Sequence, residues 1–269
     1  MKYSYKTDLH GHSYFSDGRC SPKEIANIAS EVGIDVIALT DHNLTFGINE
    51  FENAINELNK DGKDIIGIPG IEVTTEYGHI IFLFENGRDV KKFAETIHIE
   101  EVNNFETVIK NSSKYNNYKI IPHMEIPYIG SFSFESVSKI LKDFPLEMLH
   151  TGLEAINGES QVMPKFLLRK HNTLHKENIK GGWNKNLFAN SDYHSKHGIG
   201  VGITILESDK KITNAKEFIK LLKTSNGGKL KINKVLSKKE LLTEYKYIIG
   251  GTIRKRAALI LGLPRFRKI

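Results

Sequence analysis

Two histidines one residue apart, His10 and His12, begin a series of side chains that could bind metal ions. In an extended strand residues i and i+2 point to the same face, so these two imidazoles can reach one ion together. Imidazole and carboxylate groups are common ligands of divalent metals. The chain continues with further residues of these types: Asp17, Asp41, His42, Glu72, His79, His123, Asp192 and His194. One His-x-His pair is weak evidence, whereas the whole series predicts a metal centre.

Alternating strands and helices would have to position these residues. Ser21 and Glu24 form a capping-box pattern at the start of a helix that Gly33 ends. Short, β-rich apolar runs such as IDVIALT and HIIFLF favour buried strands. The patterns predict strands ending near residue 9 and over 34–40, 64–68, 79–84, 118–122, 153–156 and 186–189, with helices over 21–33, 48–58, 101–115, 134–142 and 164–175. This alternation favours a parallel sheet with helices on the outside.

Most of the candidate ligands lie where a predicted strand ends. Those that follow a strand within a residue or so are His10, Asp41, His42, His123, Asp192 and His194. Glu72 comes just after IPG, which resembles a turn, whereas His79 begins a strand instead of following one. In α/β barrels the active site forms at the carboxyl ends of the strands. Residues far apart in the sequence would therefore converge in one pocket, and His79 would need another approach to it.

Six segments of the chain resemble the successive motifs of one family. They are DLHGHSYFSDG, ALTDHN, GIEVTTEYGH, IIPHMEIP, GLEAINGE and ANSDYH, which together extend over roughly residues 7–200. They resemble the PHP (polymerase and histidinol phosphatase) family. The resemblance implies a distorted (β/α)7, TIM-like barrel that holds two or three divalent ions, Zn, Mn or Fe, and hydrolyses phosphate esters. Six of the eleven histidines fall in these motifs.

The same resemblance implies a role for each candidate ligand. The first metal would be held by His10, His12, Glu72 and Asp192. Glu72 would bridge to a second metal, which His79 and His123 complete, and a third would be held by Asp17, His42 and His194. Asp192, His194 or a water molecule could supply the proton for the leaving group. Asp8 and Asp41 are expected to orient the imidazoles.

Other polar residues near the motifs have two interpretations each. Arg19, Arg169 and His197 could contact a substrate phosphate, or could be surface residues. Glu125 stands in His-Met-Glu-Ile-Pro, where the family pattern has a short His-Pro step, and could enter the pocket or be a loop charge. Glu154 and Asn157 could line the pocket or be buried beside it.

Charge divides the chain unevenly. Residues 229–269 contain twelve Lys or Arg and two Glu, a balance of +10, so a net charge of +6 leaves 1–228 at −4. We predict a barrel domain over 1–228 and a basic, helical C-terminal extension over 229–269. Ser237 and Glu240 form a capping box in the extension. Its apolar stripe could pack on the barrel, or the extension could contact nucleic acid or an anionic membrane surface.

Composition is typical of a globular protein, with 39% hydrophobic and 26% charged residues. The sequence contains no apolar run long enough to span a membrane. The single cysteine, Cys20, excludes an intramolecular disulfide and is expected to be a packing residue, and a cytoplasmic location is expected.

The leading function is a metal-dependent phosphoesterase, a hydrolase that acts on a small phosphorylated metabolite or nucleotide by metal-activated hydroxide. A nuclease or terminal phosphatase on nucleic acid is one alternative, with the basic extension as the contact. A PHP-like module that binds a partner without catalysis is another. A C–N hydrolase of the amidohydrolase type shares the His-x-His pair, but it often bridges its metals with a modified lysine, where this chain has Glu72.

Overall fold

The computed structural model describes residues 2–127 and 129–242. Its strands are β1 (Tyr3–Asp8), β2 (Val36–Leu39), β3 (Ile66–Thr75), β4 (Gly78–Phe84), β5 (Asn117–Ile121), β6 (Thr151–Asn157), β7 (Asn186–Asn190), β8 (Gly202–Ser208) and β9 (Lys229–Ile232). Its α-helices are α1 (Pro22–Glu31), α2 (Ile48–Lys60), α3 (Gly87–Ala94), α4 (Phe105–Ser112), α5 (Phe134–Asp143), α6 (Leu174–Lys180) and α7 (Ala215–Thr224). The predicted capping box of α1 is confirmed.

One sheet forms the wall of a nearly closed barrel, in the order β7-β6-β5-β4-β3-β2-β1-β8-β9. Strands β1 to β3 pair in parallel, as do β5 to β7, whereas β4 is antiparallel to both of its neighbours. Strand β8 lies antiparallel to β1. The gap beside β7 is closed by Thr204 of β8, whose hydroxyl accepts from Ala189 N at 2.8 Å and donates to Ala189 O at 3.0 Å. The barrel class is confirmed, although its sheet is mixed instead of parallel.

Side chains that alternate along the strands form two cores. In β2, Val36 and Ala38 face the barrel interior, while Ile37 and Leu39 pack against the surrounding helices. The interior core also contains Phe218 and Leu222 of α7, so this helix closes one end of the barrel. That end is the amino end of the parallel strands, because α7 packs against β3, β4 and β5 and the Lys223 ammonium donates to Asn116, just before β5. The other end is left for the candidate ligands.

Several elements differ from the sequence predictions. Helix α3, strand β8, helix α7 and strand β9 were not predicted. The helix predicted over 164–175 is wrong: the chain forms short 3-10 segments at Lys165–Leu168 and His171–Thr173 before α6 begins at Leu174. Residues 68–70, interpreted as a turn, lie inside β3. Cys20 is buried in the outer core, as expected for a packing residue.

The described part of the C-terminal extension lies against the barrel. Residues 229–232 form β9, a strand instead of a helix, and helical backbone begins at residue 238. The predicted capping box is present there, since Glu240 N donates to the Ser237 hydroxyl and Ser237 N donates to the Glu240 carboxylate. The rest of the extension, 243–269, lies outside the described residues, and the division at residue 228 stays a prediction. Among the described residues, no helix combines the length and apolar character needed to cross a bilayer.

Candidate metal centre

The His10-Gly11-His12 segment continues from β1 at the open end of the barrel. Gly11 pairs with Tyr193, whose ring packs so closely that a Cβ on Gly11 would lie 2.2 Å from it. Only glycine therefore allows this approach. His12 N donates to Tyr193 O at 2.8 Å, which brings the segment that contains Asp192 alongside the two histidines. The Nε2 atoms of His10 and His12 both lie 3.3 Å from Asp192 Oδ1, as their spacing predicted.

Glu72 lies on the part of β3 that extends beyond the end of β2. There its backbone pairs with the segment after β2, because Glu72 N donates to Asp41 O at 3.1 Å and Asn43 N donates to Glu72 O at 2.9 Å. This pairing places the His42 ring beside the Glu72 carboxylate, with His42 Nδ1 and Glu72 Oε2 3.0 Å apart. Glu72 is completely buried.

The antiparallel direction of β4 explains the position of His79. An antiparallel strand begins where its neighbours end, so the first residues of β4 lie at the open end of the barrel. His79 pairs with Thr74, and its Nδ1 lies 3.2 Å from Glu72 Oε1. His79 thus reaches the cluster from the start of a strand, which the assumption of a parallel sheet could not explain.

The Glu72 carboxylate lies at the centre of the cluster. It is within 3.5 Å of ring nitrogens from His10, His12, His42, His79 and His123. Two ligands that each lie about 2.0–2.2 Å from one ion are roughly 3–3.5 Å from each other. These spacings are therefore those expected of side chains that surround metal ions.

A second part of the cluster forms around Asp17. Its carboxylate lies 3.5 Å from His42 Nε2 and 3.4 Å from His194 Nε2. His42 is thus placed between Glu72 and Asp17, with one ring nitrogen toward each. Within the described residues, His, Asp and Glu side chains form five overlapping groups. In each group, one ligand atom from every member lies within 4.8 Å of those of the other members. All nine predicted metal ligands are members of these groups: His10, His12, Asp17, His42, Glu72, His79, His123, Asp192 and His194.

Buried polar atoms without hydrogen bonds show that the cluster fits cations. Within the described part of the chain, these atoms include His10 Nε2, both ring nitrogens of His12, Glu72 Oε2 and His79 Nδ1. The four nitrogens nevertheless lie 3.2–3.9 Å from carboxylate oxygens. Leaving a buried polar atom unsatisfied costs about 1–3 kcal/mol, so proteins rarely keep several of them together. Divalent cations among these atoms would satisfy them.

The charges of Glu72 and His79 agree with this fit. Burial would raise the pKa of Glu72, but the imidazoles of His42, His79 and His10 hold it well below its ordinary value. Burial also lowers the pKa of His79 to about 4, against the opposing effect of Glu72. At neutral pH Glu72 is therefore ionised and His79 is uncharged, and these are the protonation states that bind metals.

Asp8 and Asp41 have other hydrogen-bond partners than those expected. Asp8 accepts from the backbone N–H groups of Ser191 and Gly200, both at 2.9 Å. Asp41 accepts from the backbone and hydroxyl of Ser13 at 2.7 Å and from the hydroxyl of Ser16 at 2.6 Å. The two carboxylates thus fix the loops that contain Asp192 and Asp17 instead of holding imidazole rings.

Two further carboxylates lie beside the predicted ligands. Glu154, for which the sequence left two interpretations, is completely buried and contacts His10 Nδ1 at 3.1 Å. Glu159 was given no role, yet its carboxylate lies 3.5 Å from His194 Nδ1. Burial raises the pKa of Glu159 well above its ordinary value, and Asp192 adds to this effect. The only sequence signal for both residues was their place in the GLEAINGE motif at the end of β6.

The remaining polar candidates lie outside the histidine–carboxylate cluster. Glu125 accepts from Phe134 N at 2.8 Å and so caps α5, which is neither of its two sequence interpretations. Arg19 and Arg169 are exposed. His197 is about one-third exposed, and its Nδ1 faces Glu240 of the C-terminal extension at 3.4 Å. Substrate contacts by Arg19, Arg169 and His197 stay predictions.

Comparison with known families identifies the class of protein. Residues 8–132 match the family model of the PHP domain. The resemblance to the PHP family seen in the motifs is therefore confirmed over residues 8–132.

Individual relatives are more distant. A 5'-3' exoribonuclease of Haemophilus influenzae is 42% identical over 72 residues, or 27% of this chain and 24% of the relative. The chain thus matches about a quarter of that relative's length. One similar structure is a two-domain protein of Bacteroides vulgatus that is described as containing a predicted PHP-like metal-dependent phosphoesterase. It aligns with a TM-score of 0.62 and 18% sequence identity, over 91% of this chain and 69% of the Bacteroides chain. An amidohydrolase from Chromobacterium violaceum aligns with a TM-score of 0.53 at 16% identity, over 80% of this chain and 95% of its own. At these identities the two structures share the fold.

Proposed function

We propose that the protein is a metal-dependent phosphoesterase that hydrolyses a phosphate ester of a small metabolite or nucleotide. The observation that carries this proposal is the buried Glu72 carboxylate, within 3.5 Å of five histidines whose ring nitrogens are in part left without hydrogen bonds. The PHP-domain match supports the same assignment.

We assign the nine candidate ligands to three ions as the family motifs imply. His10, His12 and Asp192 would hold one ion with Glu72, and His79 and His123 would hold a second with the same carboxylate. Asp17, His42 and His194 would hold a third. Zn, Mn and Fe all accept this mixed set of imidazoles and carboxylates. When bound, such ions neutralise the charge of a phosphate group and make hydroxide available near neutral pH.

The protein's own residues would prepare this reaction in three ways. The carboxylates of Glu72, Asp192 and Asp17 offset the positive charge of two or three cations in a buried site. Backbone contacts from Tyr193 and Asp41 fix the loops, so little reorganisation is required when substrate arrives. Asp192 and His194 are the candidates for moving a proton, because they lie 3.8 Å apart and connect the two parts of the cluster, Asp192 next to His10 and His194 next to Asp17.

The test is hydrolysis of matched phosphate monoesters and diesters, including a short oligonucleotide, by protein reconstituted with Mn. Monoester turnover that EDTA abolishes would support a small-molecule phosphatase. Variants His12→Ala and His175→Ala provide a matched pair, since His175 is exposed and lies outside the motifs. If no substrate were hydrolysed by protein with metal bound, the module without catalysis would become the better interpretation.

A second candidate, hydrolysis of nucleic acid, is favoured by two observations. The relatives that match about a quarter of the chain include 5'-3' exoribonucleases. In addition, the C-terminal extension begins beside the site, where Lys234 Nζ donates to His197 O at 3.4 Å and the Gln161 amide bonds Lys234 O and Leu236 N at 3.1 and 3.2 Å. The extension has a charge balance of +10, whereas the rest of the chain has a balance of −4.

The two candidates differ in their dependence on salt. Neutralising Arg254, Lys255 and Arg256 to Gln should weaken oligonucleotide binding and reduce the slope of log affinity against log salt by about 0.7 for each lost phosphate contact on a single strand. Hydrolysis of a mononucleotide by the same variant should not change. Equal salt slopes for the variant and the wild type would contradict a nucleic-acid contact by these residues.

A further inference from the structure

Glu154 is a buried carboxylate whose contacts the phosphoesterase chemistry described so far does not use. It lies on β6, beside the His10 ring. Its side chain accepts four hydrogen bonds. Oε1 accepts from His10 Nδ1 at 3.1 Å and Asn190 Nδ2 at 2.9 Å, and Oε2 accepts from His123 N at 2.9 Å and Asn157 Nδ2 at 2.8 Å. A carboxylate has about four acceptor sites, so all of them are occupied.

Two of these four donors belong to candidate ligands of different ions. The contact with His10 Nδ1 assigns a proton to that nitrogen, because Glu154 can only accept. In a neutral ring the other nitrogen, Nε2, then carries the lone pair that faces Glu72 and Asp192. A neutral imidazole protonated at Nε2 could not bind a metal there. Glu154 thereby selects the form of His10 that binds.

The contact with His123 acts through the backbone. His123 has φ of 33°, in the left-handed region that residues other than glycine seldom adopt. Such a conformation costs on the order of 1–3 kcal/mol and persists only where the surroundings enforce it. The hydrogen bond from His123 N to Glu154 supplies part of that constraint and directs the ring toward Glu72, where Nε2 lies 3.2 Å from Oε1.

Asparagines extend the network to the remaining strands of the site. Asn157 Nδ2 donates to Asp192 Oδ2 at 3.0 Å as well as to Glu154. Asn190 joins β7 to the start of the His10 segment, because its Oδ1 accepts from Leu9 N at 3.1 Å. Asp192 also has positive φ, 54°, so the network supports two strained candidate ligands.

We propose that Glu154 is the positioning residue of the metal centre, which sets the tautomer of His10 and the backbone of His123 and so prepares two metal positions at once. This proposal rests on the proposed function for the identity of the cluster as a metal centre. Partners of this kind typically change metal affinity by about 10–100-fold when removed.

Glu154→Gln is the direct test because it preserves shape. The amide group must place N–H groups against two of the four donors, and the repulsion is relieved most simply if His10 moves its proton to Nε2. Glu76→Gln is the matched control: Glu76 also accepts from a backbone N–H, that of Phe105 at 2.7 Å, and from an asparagine amide, that of Asn104 at 3.2 Å. Binding of Mn and Zn to each protein would be measured by competition with a chelator, together with the unfolding free energy in EDTA.

We expect about 10–100-fold weaker metal binding by Glu154→Gln and unchanged binding by Glu76→Gln. Equal affinity of Glu154→Gln and wild type would overturn the proposal, even if the variant were less stable in EDTA, because the residue would then have only a structural role. If the wild type itself bound no metal, the proposed function would fail instead.

If Glu154→Gln does not fold, a measurement on the wild type can test whether Glu154 sets the tautomer of His10. In the zinc-loaded protein, ¹⁵N NMR of the His10 ring reports which nitrogen holds the proton. A proton on Nδ1 would support the assignment to Glu154, whereas a proton on Nε2 would overturn it.

Discussion

The two ends of the barrel differ in the side chains that they bury. At the amino ends of the parallel strands, α7 inserts Phe218 and Leu222 into the interior core, and that end is closed by apolar contacts. At the carboxyl ends, ring nitrogens of His10 and His12 and an oxygen of Glu72 are buried without hydrogen bonds. The residues named at the two ends are almost completely buried, so burial alone does not explain the difference. Asn117 Oδ1, at the start of β5, is also buried without a hydrogen bond, but at the carboxyl ends several such atoms lie together, as expected where an additional group can satisfy them.

The contrast predicts the largest effect for changes at the carboxyl end. His12→Ala and Asp192→Asn should abolish turnover while they leave the fold largely intact, because the site loses charge stabilisation of several kcal/mol, or about 10³-fold in rate. Hydrolysis rates and circular dichroism would measure the two parts of this prediction. Retained activity in both variants would show that the cluster is not the catalytic centre.

Phe218→Ala should lower the stability of the fold and leave the metal centre unchanged, the opposite of the two changes at the carboxyl end. It removes a fully buried ring from the closed end and should lower the unfolding free energy by about 3–5 kcal/mol, through lost burial and the cavity left behind. Metal affinity of the folded variant should match that of the wild type, because α7 lies at the far end of the strands. Chemical denaturation and metal titration would measure both. A large loss of metal affinity would mean that the two ends are coupled.

Lys119 is the exception at the closed end, and it gives a pH test. This residue of β5 is 5% exposed, and burial, aided by Lys223, lowers its pKa from 10.5 to about 8. Between those two pH values the unfolded chain holds a proton on Lys119 that the folded chain lacks, so the stability contributed by this site rises with pH. Below pH 8 the full penalty, about 3 kcal/mol, is present.

Lys119→Met should therefore increase the unfolding free energy by up to about 3 kcal/mol at pH 7, with a gain that shrinks to nothing near pH 10.5. Denaturation curves at several pH values would measure it. Lys110→Met serves as control: Lys110 is exposed and pairs with Glu106 on the same helix, so a change within about 0.5 kcal/mol is expected. A gain that did not vary with pH would show that Lys119 is not titrated as described.

Metal removal should also lower the unfolding free energy, by an amount that depends on the free metal concentration and on the number of ions bound. At a free metal concentration 100 times the dissociation constant, one bound ion raises the unfolding free energy by about 2.7 kcal/mol. EDTA should remove that increment from the wild type and leave the cost of Phe218→Ala unchanged. Thermal or chemical denaturation with and without EDTA would measure it. Equal stability in both conditions would contradict a metal centre in the folded protein.

How far the sequence predicts the molecule depends on whether a feature is local. The α1 capping box is contained in four residues and was predicted correctly. The segment 164–175 has apolar residues at helical spacing, but Phe166 is 63% exposed, so its ring does not contribute the packing that a continuous helix would need. Strand β8 was missed because it is defined by its pairing with β1, almost two hundred residues away.

The candidate site divides in the same way. Its ligands could be identified because each lies in a short motif with characteristic residue types. The route of His79 into the cluster could not, since it depends on the direction of β4 relative to its neighbours. The contacts of Glu154 with His123 and His10 join residues 31 and 144 positions apart, and a single sequence contains no signal for them.

Anomalous diffraction from crystals of the protein soaked in Mn tests the central claim most directly, because it locates metal ions without reference to activity. We expect anomalous peaks in contact with the Glu72 carboxylate, flanked by nitrogens of His10, His12, His79 and His123. Peaks elsewhere, or no peak beside Glu72 at saturating Mn, would contradict the assignment of this cluster as a metal centre.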